Sequence, residues 1–252
     1  MELIYNKILE ILKTGQSAAL CTVVSTKGST PLKTGAKMIV WENGSIFGTI
    51  GGGPLEYSTV EDAVRVIKNK SPQLFVHNLK VQHEMCCGGF MEIYIEPLMP
   101  AKKLFMFGGG HVGKAVVKHA LDLDFEITVI DSREEIFSDW TFTGYNKVAG
   151  DFPKVLPTLP YDNNTFIVIA TLDHPTDNEV LSFCISRPHA YLGMIGSKKK
   201  VATIKESLIS QGIATEEELN RVDMPIGLDI NAVTADEIAV SIVAKLIREK
   251  NK

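Results

Sequence analysis

The residues with the clearest chemical capacity stand in one run, Gly108-Gly109-Gly110-His111-Val112-Gly113. Glycines at 108, 110 and 113 allow, in turn, a tight chain reversal, close approach of a phosphate to the backbone, and close packing of a helix on a strand. The apolar run 104–107 precedes them, the helical pattern Val116, Val117, Ala120, Leu121 follows, and the apolar run 127–130 ends on Asp131. Strand, glycine turn, helix, strand, acid is the order of a dinucleotide-binding unit. A helix starting at such a turn leaves backbone N–H groups free for an anion. Asp131 is placed to accept from ribose hydroxyls, which favours a ribose without a 2′-phosphate, and Arg133 is counted with the same set. A Rossmann scaffold turned to another use is the competing reading.

Four further segments carry chemistry. Gly51-Gly52-Gly53-Pro54-Leu55-Glu56 is a second glycine turn at a helix start. Either its N–H groups meet an anionic ligand with Glu56 as a polar contact, or it is a tight corner in which Glu56 serves the helix dipole. Three glycines exceed what a corner needs, because each costs backbone entropy. Cys87 precedes Gly88 and Gly89, and a thiol on a glycine-rich turn has nearby N–H groups to lower its pKa. His83 and Glu84 lie just upstream; Cys86, Cys21 and Cys184 read better as small buried hydrophobes. Residues 171–177 follow a strand, at the carboxyl end where crevice ligands bind. There His174 and Asp177 are candidates for cofactor contact or proton transfer; the plainer reading is that Thr176 or Asp177 caps the next helix. Finally, Gly196, Ser197 and Lys198 form a turn in which Ser197 caps a helix and Lys198 meets phosphate as a point charge. Lys199 and Lys200 read as a solvated face.

The elements that must hold these residues differ between the two halves. The first half predicts a helix over 3–13, a buried strand over 18–25, and a hairpin of 36–41 and 45–50 around Asn43-Gly44. A helix from the Gly51 turn to about Lys70 and strands near 74–81 and 90–95 complete an α+β domain over residues 1–98. Residues 96–100 read as the linker. From 99 to 252, strands at 104–107, 126–130, 145–149, 165–170 and 190–195 alternate with helices at 112–123, 176–186, 198–211 and 234–249. Such alternation is the signature of a Rossmann-like, doubly wound parallel sheet.

Composition narrows the function. With 252 residues, two modest domains each have enough chain for a core. A net charge of −4 gives no basic surface for nucleic acid, no apolar stretch is long enough to span a membrane, and residues 1–5 lack the basic start of a signal peptide. Four cysteines without metal spacing point to the cytoplasm rather than to a disulfide framework. No Tyr is followed four residues later by Lys, and HExxH, GxSxG and paired CxxC are absent. The chain shows a ligand crevice without an evident catalytic pair.

Taken in order, these segments resemble the XdhC/CoxI family, accessory factors of xanthine dehydrogenase and related molybdenum hydroxylases. The matching stretches are Gly35-Ala36-Lys37-Met38, Gly48-Thr49-Ile50-Gly51-Gly52-Gly53, Cys87-Gly88-Gly89, Phe107 with the glycine run through Gly113, Tyr191-Leu192-Gly193-Met194-Ile195-Gly196-Ser197 and Pro225-Ile226-Gly227-Leu228-Asp229. Many members carry Cys after the triple glycine where this chain has Pro54, so Cys87 becomes the main thiol candidate. The resemblance implies a chaperone, more than a catalyst, that binds the molybdenum cofactor as molybdopterin or its dinucleotide form. It implies protection of that cofactor during sulfuration by a cysteine desulfurase, delivery to an apo molybdenum hydroxylase, and a homodimer. Two rival functions stay open: an NAD(H)-dependent oxidoreductase and a non-enzymatic nucleotide sensor.

Overall fold

The computed structural model describes residues 2–82 and 88–252. The chain divides into two compact units, Met1–Ala101 and Lys102–Lys252.

The first unit runs α1 (Glu2–Thr14), β1 (Ala18–Lys27), β2 (Lys37–Trp41), β3 (Ile46–Gly48), α2 (Gly53–Asn69), β4 (Gln73–Asn78) and β5 (Phe90–Leu98). Its five strands form a sheet in the order β3-β2-β1-β5-β4, with every neighbouring pair antiparallel. Strand alternation gives the sheet two apolar faces. Ala19, Cys21, Val23, Met38, Val40, Met91, Ile93 and Ile95 pack under Leu55, Ala63, Val66 and Ile67 of α2. Ala18, Leu20 and Ile39 meet Ile4, Ile8 and Ile11 of α1. Each large aliphatic side chain so buried contributes about 1.5–3 kcal/mol.

The segment read from sequence as a linker belongs in part to β5, which continues through Pro97 to Leu98. Proline is tolerated there for a geometric reason. Pro97 pairs with Ala19 of β1, whereas pairing with β4 ends at Gln73↔Ile95, so no second neighbour asks for its missing N–H. The strand read as 74–81 stops at Asn78, whose Oδ1 accepts from the N–H groups of Lys80 and Val81 and turns the chain. His83, Glu84, Cys86 and Cys87 lie outside the described residues.

The second unit comprises β6 (Lys102–Phe107), α3 (His111–Ala120), β7 (Phe125–Asp131), β8 (Asn146–Ala149), α4 (Phe152–Val155), β9 (Thr165–Ile169), α5 (His174–Cys184), β10 (Tyr191–Met194), α6 (Lys198–Ser210), α7 (Glu216–Arg221) and α8 (Ala235–Lys250). All strand pairs are parallel, in the order β10-β9-β6-β7-β8. Leu104, Met106, Val129, Phe166 and Val168 face α3 and α8. Phe105, Phe107, Ile130, Ile167 and Ile169 face α5 and α6. This is the doubly wound α/β architecture. The strand order reverses between β6 and β9, the point at which such sheets bind ligands.

The sequence reading missed the short α4 and also α7, although Thr215 and Glu218 form a reciprocal capping box at the start of α7. Among the described residues, no helix is long and apolar enough to cross a membrane.

Candidate functional site

The glycine turn after β6 is shaped by three different constraints. Gly108 has φ +104°, and a Cβ there would lie 2.0 Å from the carbonyl oxygen of Ala170. A Cβ on Gly113 would lie 1.9 Å from the carbonyl oxygen of Gly108, so only glycine lets α3 settle against the strand end. Gly110 differs: nothing lies within 4 Å of its Cβ position. It forms the N-cap of α3 without any side-chain cap, which leaves the first N–H groups of α3 facing the crevice.

A groove crosses the carboxyl ends of the strands as adjoining lobes. One of about 420 Å³ is lined by Gly109, Gly110, His111, Lys114, Arg133 and Trp140, among others. The next, about 550 Å³, shares Thr171 and Leu172 with it and adds His174, Asp177, Gly196, Ser197 and Lys200. A third, about 520 Å³, continues from Gly196 and Lys198 to residues 225–232. A larger cavity of about 870 Å³ lies at the opposite end of β10, away from the glycine turn. Its half-buried carboxylate is already engaged, because Asp223 accepts from Tyr191 Oη, Gly227 N and Lys245 Nζ.

Two carboxylates in the groove are held in ways the sequence did not disclose. Asp131 is almost fully buried. Its Oδ2 accepts from Gly109 N at 2.8 Å and Arg133 Nη2 at 3.0 Å; its Oδ1 accepts from Arg133 N at 3.0 Å and Nε at 2.9 Å. Burial alone would raise its pKa, but the Arg133 side chain and the Gly109 and Arg133 N–H groups outweigh that and hold it below the usual range. With all four acceptor directions used, Asp131 has none left for ribose hydroxyls, which corrects the role expected for it.

Asp177 does not cap α5. Asp173 does, accepting from Thr176 N at 3.0 Å. Asp177 instead accepts from Thr171 N and Oγ1 and pairs with Lys200 Nζ at 2.5 Å. Lys200 also donates to the carbonyl of Ile195, and its side chain is 9% exposed. The solvated-face reading of Lys200 is therefore wrong, while Lys198 and Lys199 are exposed. The signal was present: Lys200 lies four residues before buried Ile204, on the inner stripe of α6. Ser197 caps α6 through Lys200 N, and His174 and His111 stand exposed at the starts of their helices.

In the first unit, the glycine segments meet one loop. A Cβ on Gly51 would lie 2.4 Å from Pro31 Cγ, and one on Gly89 would lie 2.4 Å from the Ser29 carbonyl oxygen. Gly88 forms a parallel bridge with Ser29. The triple-glycine turn is already filled by its own helix. Glu56 Oε1 accepts from Ile50 N at 3.0 Å, Gly52 N at 2.9 Å and the Thr49 hydroxyl. Partial burial opposes ionisation of Glu56, but those donors prevail and lower its pKa. Pro54, in the first turn of α2, removes another N–H. Cys21 and Cys184 are buried as expected, and burial pushes both thiols up to about 12.

A two-unit chain with an antiparallel α/β half and a Rossmann half defines the class of protein, and comparison with known proteins defines the family. Residues 11–78 match the XdhC and CoxI family, and residues 104–246 match the XdhC Rossmann domain. The chain belongs to the XdhC/CoxI family. It is 33% identical over 240 residues to the uncharacterized protein YqeB of Escherichia coli K12, covering 92% of this chain and 43% of that one. It is 24% identical over 161 residues to a probable xanthine dehydrogenase component of Bacillus subtilis 168, covering 64% of this chain and 46% of that one. The chain thus spans less than half the length of these curated relatives. A crystal structure described as a xanthine dehydrogenase from Bacillus halodurans shares the fold, with a TM-score of 0.54 at 20% identity over 98% of this chain and 95% of that one.

Proposed function

We propose that this chain is an accessory factor for a xanthine-dehydrogenase-type molybdenum hydroxylase. In this reading it binds the molybdenum cofactor as cargo, shields it during terminal sulfuration by a cysteine desulfurase, and hands it to the apo-hydroxylase, working as a homodimer. The observation that carries the reading is the succession of the XdhC/CoxI segment and the XdhC Rossmann segment in one chain.

The groove fits such a cargo. A pterin phosphate matches the uncapped start of α3 beside Gly110. The ring system extends toward Thr171, His174 and Gly196, in a lobe large enough for a heterocycle. A second glycine turn, closed by Glu56, is the weaker phosphate site. With Cys21 and Cys184 buried and their thiols kept protonated, Cys87 is the thiol we assign to contact with the molybdenum or to sulfur handling.

Anaerobic titration of the purified chain with molybdenum cofactor tests this, read as pterin fluorescence retained after gel filtration and oxidation. Binding should be micromolar or tighter and should collapse in Gly110→Asp, which places a carboxylate at the start of α3. Cys87→Ala should retain the pterin and fail to support sulfuration of the hydroxylase. No retained pterin, together with turnover of a nicotinamide nucleotide, would replace this reading by an oxidoreductase.

A further inference from the structure

The lobe beside β7 is built for something other than a free ribose diol. At the end of the second Rossmann strand an acid ordinarily accepts from that diol, and a nearby arginine instead accommodates a ribose phosphate. This chain has both residues, and the geometry decides between them. Asp131 is 2% exposed, and all its acceptor directions are taken by Gly109 and Arg133.

Arg133 is the group left facing the lobe. Its side chain is 30% exposed. A guanidinium has five N–H donors, and two of them hold Asp131. The clamp fixes the plane of the fork, so little ordering is left to do when an anion arrives. Lys114 stands on the same wall, donating to the backbone carbonyl of Asp139 at 2.6 Å with two further protons to offer. Trp140 and Ile136 supply a flat apolar surface, and the absence of a side chain at Gly109 brings the backbone close to Ile136. Among the described residues, Asp139 is the one carboxylate side chain on the lining, and it lies in the exposed rim.

We propose that this lobe binds a nucleotide whose ribose carries a phosphate, as in the 2′-phosphoadenosine end of NADP(H), with Arg133 and Lys114 on the phosphate and the base against Trp140. The inference rests on reading the α3 turn as a phosphate site but does not depend on the pterin. Arg133 is the specificity residue: while it holds Asp131, a phosphate gains charge-assisted bonds and an unphosphorylated diol finds no acceptor.

Calorimetric titration of the full chain with NADP+, NAD+, 2′,5′-ADP, 3′,5′-ADP and AMP tests it. NADP+ should bind at least about tenfold tighter than NAD+, and 2′,5′-ADP should exceed AMP by a similar factor. A preference for 3′,5′-ADP would keep the phosphate and move it to the 3′ position. Arg133→Ala should abolish the preference and raise NAD+ affinity, because Asp131 is then free to accept. Since that variant also strips a buried carboxylate of its partner, Lys114→Ala serves as the second probe; it leaves the clamp intact and should weaken NADP+ selectively. Equal or tighter NAD+ binding, a preference that survives both substitutions, or no nucleotide binding at all would overturn the proposal. Retained pterin alongside any of these results would leave the accessory function standing.

Discussion

Two glycine turns open two helices in this chain, and they end in opposite states. At the start of α2, Glu56 reaches back and takes the N–H groups of Ile50 and Gly52 for itself. At the start of α3, no side chain caps the helix. Of the carboxylates nearest that second turn, Asp131 takes only the Gly109 N–H and is otherwise held by Arg133, and Asp177 is held by Lys200. One turn therefore meets its anion from within the fold, and the other, past Gly109, keeps the donors at its helix start for a ligand. Glycine content does not separate them. What separates them is whether the neighbouring carboxylate has a cation of its own.

The most severe way to break this comparison is to remove a restraining cation. Lys200→Met leaves Asp177 buried beside Thr171 without its counter-charge, and urea unfolding should show a loss of about 3–5 kcal/mol. Lys199→Met, one residue away and exposed, should stay within about 0.5 kcal/mol. Equal effects would mean that the Asp177 pair adds nothing to the groove.

A smaller effect separates two glycines of the same turn. Gly113→Ala drives a methyl group into the Gly108 carbonyl and should cost about 3 kcal/mol. Gly110→Ala meets open space and should cost less than about 1 kcal/mol, the difference between glycine and alanine at an N-cap. If Gly110→Ala were the more damaging of the two, the α3 start would not be the open feature described.

Smaller again is the effect of emptying the other turn. Glu56→Ala deprives the buried Ile50 N–H of its acceptor and should cost about 1–3 kcal/mol. Added sulfate should restore stability to this variant more than it stabilises the parent, since an anion can then enter where the carboxylate was. Absence of any sulfate-specific rescue would show that the α2 turn is a corner and not an anion nest.

Much of this was legible in the sequence because pattern and period agree with the fold. The alternating apolar runs of the second half mark every parallel strand, and the glycine spacing marks the turn after β6. What escaped depends on partners far along the chain. The Asp131–Arg133 clamp involves neighbours in sequence, yet its capture of the Gly109 N–H appears only when β6 and β7 lie side by side. The Asp177–Lys200 pair joins α5 to α6 across 23 residues, and a run of three lysines hides which one turns inward. Asp173 was readable as a cap, because Pro175 two residues later sits in the first helical turn. The sequence left open whether Glu56 contacts a ligand or serves the helix dipole, and its hold on the Ile50 and Gly52 N–H groups appears only in the hydrogen bonds.

The smallest expected effect tests whether that hold depends on charge. The folded-state pKa of Glu56 lies below its ordinary value: burial pulls upward, and Thr49 with the Gly52, Ile50 and Gly51 N–H groups pulls further downward. A depressed carboxylate contributes stability that is fully present above its unfolded pKa of about 4.3 and is lost as pH falls through the lower folded value. Glu56→Gln keeps an acceptor oxygen but no charge. The parent should therefore exceed this variant in stability at neutral pH, with the gap closing as pH drops below about 4. Other depressed carboxylates, Asp131 among them, are common to both proteins and cancel in the difference. A gap that stays constant into the acid range would mean that oxygen geometry alone closes the α2 turn. The contrast with α3 would then rest on shape, and a neutral acceptor near Gly110 would block the groove as well as a carboxylate does.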